Sequence, residues 1–266
     1  MLPVVDFCGL RVTRLVLGAN PFGGFSHQNK ARDHEMLAYH TPARIVETFE
    51  RAEAAGINTM VTNNGSPNVL AALKIYFAHG GKMQWIAQVS PLYREGQAMP
   101  EALDQAAELG AAAIYLHGRS TEDLYHEQTP DTLAAWMDQI RTHGIPAGVA
   151  AHGAEIHHWV DSLGVADFHA VCFYRCGTLH DGHGLKFKLR DVPVATACIR
   201  RIAKPCIGYK IMGAGRMDPQ LAFEYAYDRI KPTDVVNVGM HRGDKDDMVE
   251  ENVSIVAKLL AENGTQ

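Results

Sequence analysis

One arrangement of apolar and polar positions recurs along the chain. A stretch with helical period is broken by Gly or Pro, and a short apolar run that ends in polar residues follows. "TPARIVETFERAEAAG" shows the first half. Thr41 predicts an N-cap, Pro42 suits the first helical position, and Ile45, Val46, Phe49 and Ala52 share one face before Gly56 stops the helix. "INTMVT" then reads as a strand. The handover returns at "AAELGAAAIYLHG", "IRTHGIPAGVAAHG", "VDSLGVADFHAVCFYR", "IRRIAKPCIGYKIMG" and "YDRIKPTDVVNVGM"; "RLVLGAN" and "MQWIAQVS" bring the apolar runs to eight. Alternating helix and buried strand implies a parallel sheet with right-handed crossovers. Eight units within 266 residues predict a (β/α)8 TIM barrel, an α/β fold in a single domain over residues 1–266, in preference to an open doubly wound sheet.

Composition narrows the partners. Hydrophobic residues at 47% supply a core, and a formal net charge of -5 gives no electrostatic case for nucleic acid or an anionic membrane. No apolar run approaches a membrane span, and the first residues lack a signal-peptide pattern, so the expectation is a cytoplasmic protein. The sequence allows a homo-oligomer and does not require one. The five cysteines are irregularly spaced. "CFYRC" sets two of them four apart, outside the CxxC pattern, so the thiols read as small core residues of a reduced protein.

In a barrel of this kind chemistry gathers at the C-terminal ends of the strands. Those ends carry Asn20 and the "PFGGFSHQ" loop, Asn63 and Asn64, Gln88 and Ser90, His117, His152 with Glu155 just beyond, Cys172, Tyr174 and Arg175, Lys210, and finally His241 and Arg242. His117 in "YLHG" and His152 in "AAHG" each close an apolar run before a glycine. Neighbouring strands are about 5 Å apart, so two imidazoles at one height could share a divalent metal, with His27 or Glu155 as a third ligand. Each could equally hydrogen-bond a substrate hydroxyl. Lys210 lies within the apolar "CIGYKIMG", where the cost of desolvation demands a compensating role. That role is proton abstraction, carbonyl polarisation, or a structural ion pair with a carboxylate. Tyr174 is a candidate proton donor. "GAGR" could present backbone N–H groups and Arg216 to an anion. "LHDGHG", residues 179–184, reads as a substrate-covering lid, "HHW" as outer helix surface, and the charges of "HRGDKDDMVEEN" as a solvated loop and helix start.

The segments "GLRVTRLVLGANPFGG", "AAGINT", "AIYLHG" and "VGMHRGDKDDMVEEN" resemble the aldo/keto reductase superfamily over nearly the whole chain. That family carries Asp, Tyr, Lys and His around a nicotinamide. His117 matches its strand-four histidine, and Glu251 and Asn252 are similar to its adenine-binding pair. Val61 stands at the aspartate position, the tyrosine position falls near Ser66, and "IAQVSPLY" has no lysine. Conventional carbonyl reduction would thus lose its proton donor. "GANPFGGFSHQ", "GVAAHGAEI", "CFYR" and "KPCIGYKIMGAGR" look more specifically like a branch of such barrels that keeps company with sugar-handling oxidoreductases, which implies a carbohydrate-related substrate.

The leading expectation is a metal-assisted lyase, hydratase or isomerase acting on a sugar or keto-sugar derivative. His117, His152 and His27 would hold a divalent ion, Lys210 or Glu155 would remove the proton beside the carbonyl, and Tyr174 would protonate an oxygen. Asn20, Asn64, Gln88 and Arg216 would bind substrate. The alternatives are an NADPH-dependent oxidoreductase with a rebuilt site and a non-catalytic sugar-binding subunit.

Overall fold

A computed structural model describes residues 1–93, 96–176 and 186–263. The chain opens with an antiparallel hairpin, β1 (Val4–Phe7) and β2 (Leu10–Thr13), which the repeating unit does not announce. The eight apolar runs then become eight strands: β3 (Leu15–Gly18), β4 (Thr59–Asn63), β5 (Gln84–Val89), β6 (Ala113–Leu116), β7 (Ala147–Ala151), β8 (Phe168–Cys172), β9 (Cys206–Tyr209) and β10 (Val235–Gly239). They pair in parallel in chain order, and β10 closes on β3. The chain is therefore a (β/α)8 barrel.

Around the strands run α1 (Lys30–Tyr39), α2 (Pro42–Ala54), α3 (Pro67–Ala78), α4 (Met99–Glu108), α5 (Gly118–Glu127), α6 (Pro130–Thr142), α7 (Ala154–Leu163), α8 (Asp191–Arg201), α9 (Pro219–Arg229) and α10 (Met248–Asn263). The sequence signals of α2 hold in detail. Thr41 accepts a hydrogen bond from the Arg44 N–H, Ile45, Val46, Phe49 and Ala52 are buried, and Gly56 takes φ +96° where the chain turns into β4. No helix among the described residues is long and apolar enough to cross a membrane.

The core has two layers. Residues on the outward faces of the strands pack beneath the helices in the larger cluster, as Leu15, Leu17 and Met60 do. The inward faces form a smaller one inside the barrel, with Val16, Val61, Ile86, Ala150, Phe168 and Val235 among its members. Gly148 makes room there: a Cβ on it would lie 2.5 Å from the Phe168 ring. Phe7 of the hairpin is fully buried edge-on against Phe168, with ring centroids 5.1 Å apart, so β1–β2 stops one end of the barrel with an aromatic plug. The other end stays open for a site.

Candidate active site

Side-chain alternation decides what reaches the open end. Counting by two from the interior Val61, Ile86, Tyr115, Ala150 and Val235 gives Asn63, Gln88, His117, His152 and Asn237, and all five line a cavity of about 770 Å³ at the strand C-termini. Asn20, His27, Tyr115, Tyr209 and Lys210 line it as well.

The densest chemistry lies where β6 to β9 end. Lys210 follows β9 and adopts φ +60°, a left-handed conformation seldom taken outside glycine. Its Nζ is 3.3 Å from His152 Nε2 and 3.3 Å from Cys176 Sγ. Behind His152 stands Glu122 of α5, whose Oε1 accepts from both the His152 ring (Nδ1, 2.8 Å) and the His152 backbone N–H (2.9 Å). That bond keeps the ring proton on Nδ1 and leaves the Nε2 lone pair toward Lys210. Burial pushes the Glu122 carboxyl upward, but its bonds to His152 outweigh this and the net shift is downward, so the group is a carboxylate.

Cys176 Sγ also lies 4.0 Å from Cys172 Sγ. The two thiols divide their roles. Complete burial holds Cys172 protonated, whereas the Cys172 S–H and the Lys210 ammonium, working against burial, draw Cys176 well below the ordinary thiol range.

His117 is the N-cap of α5. Its Nδ1 accepts the Arg119 N–H at 3.2 Å, which leaves the ring proton on Nε2. Burial, with His152 and Lys210 nearby, pushes its pKa down to about 3, so the ring is neutral at physiological pH and can act as a hydrogen-bond donor.

Several expected residues sit elsewhere. Tyr174 is 2% exposed, packs edge-on against Phe187 at 5.3 Å, and does not line the cavity. Glu155, in the first turn of α7, pairs at 2.5 Å with Arg175 on the outside. Asn64 has the wrong parity: it is buried behind the wall, accepting the Ser90 N–H through Oδ1, while its neighbour Asn63 lines the cavity. Arg216 folds back on its own loop, donating to the Gly213 carbonyl at 2.9 Å and lying over the Phe187 ring. His157 of "HHW" is buried, with Nδ1 3.1 Å from His169 Nδ1. Arg242 is buried too, bridging Glu47 and Asp246, so part of the late charge run holds α2 to the loop before α10. The expected lid, residues 179–184, lies outside the described residues.

The expected metal set changes as well. His27, His117 and His152 do not come together as ligands. Among the described residues, the groups with three donor atoms mutually within 4.8 Å are His152–Cys172–Cys176 and Glu35–His241–Asp244. In the first, the Lys210 ammonium already lies against two of the three donors, so the cluster does not fit an ion as it stands. In the second, Arg32 pairs with both carboxylates.

Sequence reasoning missed Glu122, Cys176 and Asn237. Asn237 carried a readable signal, an amide at inward parity within the apolar "VVNVG". The residue lines the cavity, while its Oδ1 is buried toward Gly18 with no hydrogen-bond partner. Glu122 had no such signal, since a helix residue reaches the site only through tertiary packing.

No family model matches the chain, and no curated protein matches it. Solved structures do. Two described as "putative aldo-keto reductase" from Pseudomonas aeruginosa are 17% and 18% identical, each over 97% of this chain and 95% and 94% of theirs, with TM-scores of 0.65 and 0.61. The likeness is one of fold. The chain shares the closed (β/α)8 barrel of these structures. A truncated 3-deoxy-D-arabino-heptulosonate 7-phosphate synthase from Thermotoga maritima is similar over 98% of this chain and 93% of that one, at 12% identity and TM-score 0.58. The structural neighbours are thus barrels that include enzymes of different reaction classes.

Proposed function

We propose that this barrel is an enzyme that removes a proton next to the carbonyl of a sugar or keto-sugar derivative, in an isomerase, lyase or hydratase reaction. One observation carries the reading: the line Glu122–His152–Lys210–Cys176, of which His152 and Lys210 line the cavity and Glu122 and Cys176 stand behind them. A structural lysine at this depth would have a carboxylate, and among the described residues none lies within ion-pair distance of Lys210. Its neighbours are an imidazole and the sulfur of Cys176, drawn toward the thiolate, groups that accept and return protons.

His152 is the base. Glu122 fixes its tautomer and stabilises the imidazolium that forms, the part an acidic residue plays behind a catalytic histidine. Lys210 hydrogen-bonds the carbonyl oxygen through its ammonium and supplies the positive charge expected of a divalent ion. Neutral His117 donates Nε2–H to the same developing oxyanion. Asn20 and Gln88 at the cavity wall suit a ligand with several hydroxyls, since amides both give and accept hydrogen bonds.

The test is hydrogen exchange. In D2O with a panel of ketoses and keto-glycosides, the wild-type protein is expected to introduce deuterium at the carbon beside the carbonyl, read by NMR. His152→Ala should slow this by about a hundredfold or more. No exchange across the panel, or exchange undiminished in His152→Ala, overturns the reading.

A second reading, an NADPH-dependent oxidoreductase, is favoured by the shape of the cavity, which runs from the barrel mouth to Glu251 and Asn252 at the start of α10. Those residues would hold the adenine end, His117 would orient the carbonyl, and the nicotinamide would supply hydride. Saturable quenching of protein fluorescence by NADPH favours it; absence of binding removes it.

A further inference from the structure

We propose that Lys210 activates its substrate covalently, as an imine with a ketone or aldehyde carbon; this rests on the proton-transfer reading above and sharpens it. Three observations converge on that nitrogen. It reaches the open cavity, where a carbonyl carbon can approach. It is bordered by Cys176 Sγ and His152 Nε2 at the same 3.3 Å, not by a carboxylate that would hold it permanently as an ammonium ion. Its residue is kept in a left-handed backbone conformation that a side chain disfavours, a strain that concentrates at functional positions.

Imine formation needs two proton movers beside the amine, and the site has both. The ammonium passes a proton to the Cys176 thiolate, leaving a neutral amine and a thiol. The amine lone pair forms a C–N bond to the carbonyl carbon, and the C=O π pair moves to oxygen, where His117 Nε2–H hydrogen-bonds it. His152 Nε2 takes a proton from the nitrogen and returns it to that oxygen, giving a neutral carbinolamine. The Cys176 thiol then protonates the hydroxyl, the C–O bond breaks, and water departs as the nitrogen lone pair closes the C=N bond. The sum is an ammonium and a carbonyl going to a protonated iminium and water. Cys176 ends as the thiolate and His152 as the neutral ring with which they began, and nothing is oxidised or reduced. A protonated iminium withdraws electrons more strongly than a hydrogen-bonded carbonyl, so the adjacent C–H becomes acidic enough for His152, backed by Glu122, to take its proton. The substrate class is accordingly a small polyhydroxylated ketone or aldehyde.

The probe is dihydroxyacetone with sodium cyanoborohydride, which reduces an iminium to a stable secondary amine. Intact-mass analysis and peptide mapping then locate the adduct. A single adduct at Lys210, forming about tenfold or more faster than at any other lysine and slowed in His152→Gln, supports the proposal. Lys210→Arg keeps the charge and cannot form an imine, so it should lose both the adduct and deuterium exchange. If Lys210 stays unmodified, or Lys210→Arg still exchanges, the imine is overturned; exchange persisting in wild type would leave the non-covalent reading standing. Absence of both adduct and exchange removes both.

Discussion

At the scale of single residues, the site depends on which proton sits where. His152 can serve as a base only while a carboxylate holds its other nitrogen, and Glu122 does this through two hydrogen bonds. Glu122→Gln keeps the shape, removes the charge, and lets the ring choose the other tautomer. Deuterium exchange is expected to fall about ten- to a hundredfold, the usual cost of losing a supporting partner of a functional histidine. The melting temperature should change little, because an amide can still accept the His152 backbone N–H. Unchanged exchange would mean that Glu122 only packs α5 against β7. The asparagines show what sequence alone could decide here. Strand alternation separates Asn63 from Asn64 once the strand's inward face is known, but the polar pair by itself does not say which of the two faces in.

At the scale of elements, α5 is tied to the chemistry by its first turn. His117 both caps the helix and lines the cavity, so an alanine there would confuse folding with function. Asparagine separates them, since it caps helices well yet lacks an imidazole Nε2–H. His117→Asn is expected to stay within about 0.5 kcal/mol of wild type in urea unfolding, while exchange drops about a hundredfold from the lost oxyanion donor. Equal loss in both measurements would reduce His117 to a cap. The same helix supplies Glu122, and the turn after β8 supplies Cys176. The helix and strand starts were readable from N-caps, prolines and glycines. The inward reach of a helix side chain was not, because helical period marks a buried face without saying what that face meets.

At the scale of the whole molecule, the histidines make the barrel sensitive to acid. Burial pushes His40 to about 3, His157 to about 4 and His169 to about 2, each below its ordinary value near 6.5. The unfolded chain therefore binds more protons between those values and about 6.5. Stability is fully present above pH 6.5 and declines as pH falls toward 4, by about 1.4 kcal/mol per pH unit for each such group. Denaturant midpoints measured from pH 7.5 to 4.5 should fall steadily below pH 6.5. A flat profile there would show that these rings take up protons in the folded state as readily as in the unfolded one. His157 and His169 touch each other, as do His40 and His241 at 2.9 Å, so each buried pair must stay at least partly neutral to remain hydrogen-bonded.

The order of eight apolar runs, all but the first preceded by a helix, was enough to specify the barrel, because period and turn residues are local properties. Lys210, His117 and His152 were legible for the same reason: they stand where apolar runs end. The partners of those residues were decided by the closed sheet alone. Closure puts the thiol after β8 and the carboxylate of α5 beside side chains from β7 and β9, and it turns Glu155, Tyr174 and Arg216 away from the cavity. Such contacts join residues 30 to 58 positions apart, a range over which spacing in the chain carries no directional information.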